Sequence, residues 1–191
     1  MIRRSSLLLL VVVSVAAAAP PAKFTQEYQA GVDAFRLGKY DDARVHLEKA
    51  RAIAPKLPGP HRFLAAVAQA QERWDDCIGS ARRALVLNPS SNEVAETRKL
   101  HDACRTSAGR VPYRGPALGD GAAIAVTANV DGATIKIGGL TYGGTPLEPR
   151  PITAGSHAIE VTKVGYKATT VTVDALPGIV TDVAVALVPA S

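Results

Sequence analysis

The sequence predicts a two-domain protein: all-α helix-turn-helix repeats followed by a small all-β antiparallel sandwich. Three observations predict it. Phe24 to Asn92 repeats with a 34-residue period, apolar spacing changes from helical to alternating near Ala122, and a Gly- and Pro-rich stretch separates the two regimes. A period of this length with helical apolar spacing marks a stacked repeat array, a class that presents surfaces to other proteins.

Gly38-Lys39-Tyr40-Asp41-Asp42-Ala43 is followed by Ala50 and Pro55. One period later come Arg73-Trp74-Asp75-Asp76-Cys77, then Ala84 and Pro89. Tyr40 maps onto Trp74 and Ile53 onto Leu87 without a gap. Asp41 or Asp42 is expected to cap a helix carrying Ala43, Leu47, Ala50 and Ile53. Gly38 suits the preceding turn, and Pro55 and Pro89 end the two units. A third helix is expected from about Ser91 to Thr106, capped by Ser90, Ser91 or Asn92.

The N-terminus reads as an export signal, residues 1–18. Arg3 and Arg4 precede an apolar run from Leu7 to Ala19, and Ala16-Ala17-Ala18 offers a cleavage site. An uncleaved anchor is the rival reading. The run spans only about 20 Å as a helix, short of the roughly 30 Å hydrocarbon core. The mature chain is thus expected to lack a transmembrane segment. From Lys23 onward, 20 basic and 17 acidic residues are interspersed. No basic cluster points to nucleic acid.

Cys77 and Cys104 are the two cysteines. In an antiparallel hairpin turning near Ser90, they stand 13 residues before and 14 after the turn, at similar heights. An oxidising compartment then favours a disulfide. It would be worth roughly 3 kcal/mol in the chain-entropy model. Two buried thiols are the alternative, since Cys77 occupies a packing position.

Residues 23–106 form the expected helical domain. Within it, residues 24–91 resemble two tetratricopeptide repeats, and residues 92–106 the solvating helix that closes such arrays. Ala30-Gly31, Gly38, Tyr40, Ala43, Ala50 and Pro55 carry the resemblance. It implies packed aromatics at Tyr40 and Trp74. It also implies a protein-binding groove lined by Tyr28, Val32, Phe35, Arg36, Arg62, Ala66, Gln69 and Glu96. Two repeats and a cap make a short array, which leaves oligomerisation open.

Residues 107–121 read as a linker. Beyond it, Ile124/Val126, Ile135/Ile137, Ile159/Val161, Val171/Val173 and Val183/Val185/Leu187 alternate with small or polar residues. Five to six short strands follow from this pattern. Val130-Asp131-Gly132-Ala133, Gly144-Thr145-Pro146-Leu147, Ala154-Gly155-Ser156-His157 and Lys163-Val164-Gly165-Tyr166 punctuate them. With these motifs, residues 122–188 resemble the PEGA domain. The resemblance implies turn and packing roles for Gly165 and Tyr166, and a location in the bacterial envelope, periplasm or surface.

No catalytic or metal constellation emerges. His46 reads as solvated, His61 and His101 as isolated, and His157 as structural. None has ligand spacing to Cys, Asp or Glu. The paired acids Asp41-Asp42 and Asp75-Asp76 sit at helix starts, where capping explains them. No cofactor, enzyme activity or metal is therefore expected. The leading expectation is an exported, non-enzymatic scaffold or adaptor. It would bind a protein in the helical groove and an envelope component through the β half. The other classes are a carbohydrate- or peptidoglycan-binding module, with Tyr142 as the stacking residue, and a self-assembling surface structural protein.

Overall fold

The computed structural model describes residues 19–87 and 92–190. The expected export signal, the helix-ending Pro89 and the proposed caps Ser90 and Ser91 lie outside the described residues.

Five helices come first: α1 (Ala22–Arg36), α2 (Tyr40–Ile53), α3 (Pro58–Ala70), α4 (Trp74–Leu87) and α5 (Val94–Ser107). The α1–α2 and α3–α4 pairs follow the 34-residue period. Small residues set their spacing. A Cβ on Gly31 would stand 2.7 Å from Leu47 Cγ, so α1 and α2 meet closely there. One period on, Ala65 is fully buried at the equivalent place. Ala43, Leu47, Leu64 and Val67 fill one helical core, while Ala65, Ala68, Cys77, Ala81 and Cys104 fill the next. Tyr40 and Trp74 pack against the margins of these clusters, as core aromatics should.

The expected caps need correction. Lys39, not Asp41 or Asp42, precedes α2, and no side chain caps it. Both acids fall within the first turn, where their charge complements the helix dipole. Asp41 also accepts a 2.9 Å hydrogen bond from Gln71 Nε2, linking the two hairpins. The third helix begins at Val94, with Glu93 before it. Pro58 opens α3 in its first turn, where the backbone N–H has no intrahelical partner to lose.

The histidines also differ from expectation. His46 is not merely solvated: its Nδ1 lies 2.7 Å from Glu27 Oε2 on α1. His61 and His101 are buried, at 7% and 1% exposure. Burial lowers the His61 pKa, against the opposing effect of its hydrogen bond to the Pro55 carbonyl.

Seven strands follow: β1 (Ala122–Ala128), β2 (Thr134–Ile137), β3 (Leu140–Gly144), β4 (Leu147–Ile152), β5 (Gly155–Thr162), β6 (Thr169–Ala175) and β7 (Val180–Val185). They form two sheets, ordered β4-β1-β7 and β3-β2-β5-β6. Ile124, Val126, Val183 and Val185 from the first sheet meet Ile135, Ile137, Ile159 and Val161 from the second in one core. The alternation read from the sequence is the inward face of this sandwich.

Two strands exceed the expected list. β3 is Gly-rich and β4 carries Pro149 and Pro151, so neither shows a clean alternation. β4 is an edge strand, which tolerates proline. The pairing is antiparallel except for β1 with β7, which run parallel in the same sheet. Thr145 explains the Gly-Thr-Pro-Leu motif. Its hydroxyl donates to the Val130 carbonyl and accepts from the Ala133 N–H, tying the β3–β4 turn to the entry of β2.

Glu72 carries a positive φ of 56°, one period after Gly38 at 72°. The turn between paired helices therefore demands a left-handed residue, and the second repeat fills it without glycine. Glu72→Gly is expected to raise stability by about 0.5 kcal/mol, strain relief exceeding the added freedom of the unfolded chain. The readout is a higher urea midpoint at unchanged slope. A lower midpoint would mean that the Glu72 side chain supports the turn.

Candidate functional site

The repeat places Tyr28, Val32, Phe35 and Arg36 on α1, Arg62, Ala66 and Gln69 on α3, and Glu96 on α5. Their roles divide. Tyr28, Phe35 and Phe63 make an aromatic group, with ring centroids of 5.8 Å for Tyr28–Phe63 and 5.9 Å for Phe35–Phe63. Phe24 stacks on Tyr28 at 5.6 Å. Burial pushes the Tyr28 phenol above its ordinary range, with the Arg62 charge opposing. Val32 is buried, at 5% exposure, so its side chain is consumed by packing. Ala66 and Gln69 are half-buried, whereas Arg36 and Glu96 are exposed.

Charge on this side is largely matched. Arg62 meets Glu93 at 2.8 Å and lies 4.7 Å from the Phe63 ring centre. Arg36 approaches Asp33, and Lys99 approaches Glu96, both one turn away on the same helix. The surface thus combines an aromatic floor at Tyr28 and Phe35 with polar groups at its margins.

A second locus lies where the helices meet the sandwich. Arg105, on α5, is only 2% exposed. Its Nε and Nη2 each lie 2.7 Å from a different carboxylate oxygen of Asp182 on β7. Nη2 also donates to the Val111 carbonyl, at 3.3 Å, at the start of the connecting segment. A planar guanidinium on two carboxylate oxygens fixes both distance and orientation. Arg82, on α4, donates to Thr181 Oγ1 at 3.0 Å and to the Asp174 carbonyl. Burial lowers the Arg82 pKa, and the nearby Asp174 charge opposes that shift.

The Cys77–Cys104 disulfide ties the two helices that carry these arginines. Both cysteines are fully buried, and neither is free. Arg105 follows Cys104 directly, so the crosslink and the ion pair share one helical turn. Sequence reasoning located the disulfide but missed Arg82, Arg105, Thr181 and Asp182. One signal was available: Asp182 is the one charged residue of β7.

The segment read as a linker holds no helix or strand, yet it folds back on α5. Arg110 N–H donates to the Arg105 carbonyl, and the Arg110 side chain reaches Asp75 at 3.0 Å. An open cleft of about 740 Å³ runs along the junction, between Arg82, Arg83 and Val86 on one wall and Ser156, Ala175 and Leu176 on the other.

Tyr142, on β3, is half-buried and packs against the sandwich core. Tyr166 packs against the same core and pairs with Pro189, while Gly165 turns at φ 84°. Among the described residues, no group of three His, Cys, Asp or Glu side chains could hold a metal ion. No described helix is long and apolar enough to cross a membrane.

No curated protein matches the sequence. The family model of the PEGA domain matches residues 122–191, which include all seven strands of the sandwich.

Removing the Arg105 guanidinium leaves Asp182 without its partner, a loss of about 3 kcal/mol for a buried pair. In Arg105→Gln, tryptic cleavage after Arg114 should accelerate at least about tenfold, with helix content by circular dichroism unchanged. An unaltered cleavage rate would show that the ion pair does not hold the connecting segment in place.

Proposed function

We propose that this is an exported, non-enzymatic adaptor. Its helical repeats, tetratricopeptide-like in pattern, bind a protein partner, and its PEGA module contacts a component of the bacterial envelope. The observation that carries the proposal is the joining of two unlike binding architectures in one chain. A repeat array presents an aromatic, charge-rimmed face, and a PEGA sandwich follows it. Repeat arrays use such surfaces for partner recognition. Aromatic and arginine side chains of the kind found at Tyr28, Phe35, Arg36 and Arg62 supply most binding energy at protein interfaces.

Location outside the cytoplasm is supported by three things together. The N-terminal sequence has the pattern of an export signal, the PEGA match suggests an extracellular or periplasmic module, and the disulfide suits an oxidising compartment. The carbohydrate-binding reading rests on Tyr142, which is half-buried and packs against the sandwich core. A self-assembling surface role remains the alternative that concentration-dependent mass would reveal.

The test is crosslinking and affinity purification of the tagged full chain from its native envelope. Wild type is compared with Arg36→Glu/Arg62→Glu, which reverses two charges at the helical face. A protein partner retained by wild type and reduced at least about tenfold by the double variant is the expected result. Equal recovery by both would remove the helical face from the binding site. Recovery of cell wall or glycan alone would overturn the adaptor reading.

A further inference from the structure

A cavity of about 430 Å³ lies between α5, the connecting segment and the β6–β7 turn. Its α5 wall is built by Arg98, Asp102, Arg105 and Thr106, and the rest of its lining includes Pro116, Ala117, Leu118 and Val180. The size falls within the range of small-molecule sites, which favour junctions between domains.

Three of its features are unexplained by packing. First, Arg105 is committed to Asp182, but Arg98 makes no hydrogen bond or ion pair among the described residues, and its Nε is buried without a partner. A half-buried guanidinium in this state calls for an anion. Second, Arg98 and Asp102 are opposite charges one turn apart on α5, a spacing at which such pairs ordinarily meet. Here they are not paired. The Arg98 guanidinium instead lies over Gly178, where an added Cβ would come within 2.5 Å of Cζ. Gly178 has φ 76°, so the turn both requires glycine and leaves the seat that Arg98 occupies. Third, the rest of the lining is largely apolar, with Pro116, Ala117, Leu118 and Val180 in the same cavity as the two charges.

From this arrangement we propose that the cavity binds a small zwitterion, an α-amino acid with an apolar side chain. Its carboxylate engages Arg98, its ammonium engages Asp102, and its side chain lies against Leu118 and Val180. The guanidinium suits a carboxylate because its planar fork can donate two parallel hydrogen bonds. Asp102 already accepts a 3.2 Å contact from His101 Nδ1 through Oδ1, and Oδ2 is the atom that serves the ammonium. A simple anion would meet repulsion from Asp102, and a simple cation would meet repulsion from Arg98. Only a ligand bearing both charges matches both groups. The site shares no residue with the proposed protein-binding groove on α1, α3 and α5, so its failure would leave that reading untouched.

The experiment uses the full oxidised chain with three probes that share the leucine isobutyl group: L-leucine, 4-methylpentanoate, which lacks the ammonium, and 3-methylbutylamine, which lacks the carboxylate. Binding is followed by calorimetry and by amide shifts of residues 98–119 and 176–180. L-leucine is expected to bind, with each one-charge probe weaker by at least about tenfold. Arg98→Gln and Asp102→Asn should each weaken L-leucine by a similar factor. Asp102 is an exposed acid whose loss leaves the core intact, so this variant decides the question if Arg98→Gln does not fold. No binding of L-leucine at 10-fold millimolar excess, on the order of ordinary weak-ligand screening, would overturn the proposal. So would equal binding of 4-methylpentanoate that is insensitive to Asp102→Asn.

Discussion

The Arg105–Asp182 pair is the interaction on which the relation between the two halves depends. It lies where α5 ends and β7 runs along the edge of its sheet. A buried guanidinium must be paired, because leaving it without a partner would cost more than the pair itself contributes. The chain therefore has a strong reason to bring Asp182 to α5. Once it does, β7 is fixed beside the helices and the connecting segment must fold over the gap. Arg82 adds a second anchor from α4, so the sandwich is held at two points and its rotation about either is restrained.

The disulfide makes these anchors into one unit. It joins α4 and α5 at Cys77 and Cys104, close to the start of α4 and the end of α5. Its entropic contribution of roughly 3 kcal/mol stabilises a short array that has only two repeats and a closing helix. Its position has a second consequence. Without it, α4 and α5 would rely on small side chains such as Ala81 and on Thr97 and Leu100 to hold their register. Arg82 and Arg105 could then shift relative to one another, and the two-point attachment would loosen.

Much of this was legible in the sequence. The 34-residue period located the four paired helices, because close helix contacts at Gly31, Ala65 and Ala43 leave a strict small-residue signature. Alternation located five strands, because one face of each is buried in a dry core. β3 and β4 were missed for a physical reason: glycines and prolines set edge strands by backbone conformation, which leaves no alternating pattern. The candidate groove residues were only partly legible. A repeat tells which helix face a position occupies, but it does not tell that Val32 is consumed by packing. Beyond the charge at Asp182, the junction left no mark in the sequence, for a deeper reason. Arg82, Arg105 and Asp182 lie 77 or more residues apart across the α–β boundary, and local spacing carries no information about such pairs.

Helices and sandwich are expected to move as one body, held by the arginines of a disulfide-linked helix pair. Residual dipolar couplings from the amides of α1–α5 and β1–β7 of the oxidised chain test it most directly. One alignment tensor should fit both sets, and after reduction the two sets should need separate tensors. Two tensors in the oxidised protein would contradict the account, since the halves would then tumble independently despite the disulfide and the ion pair.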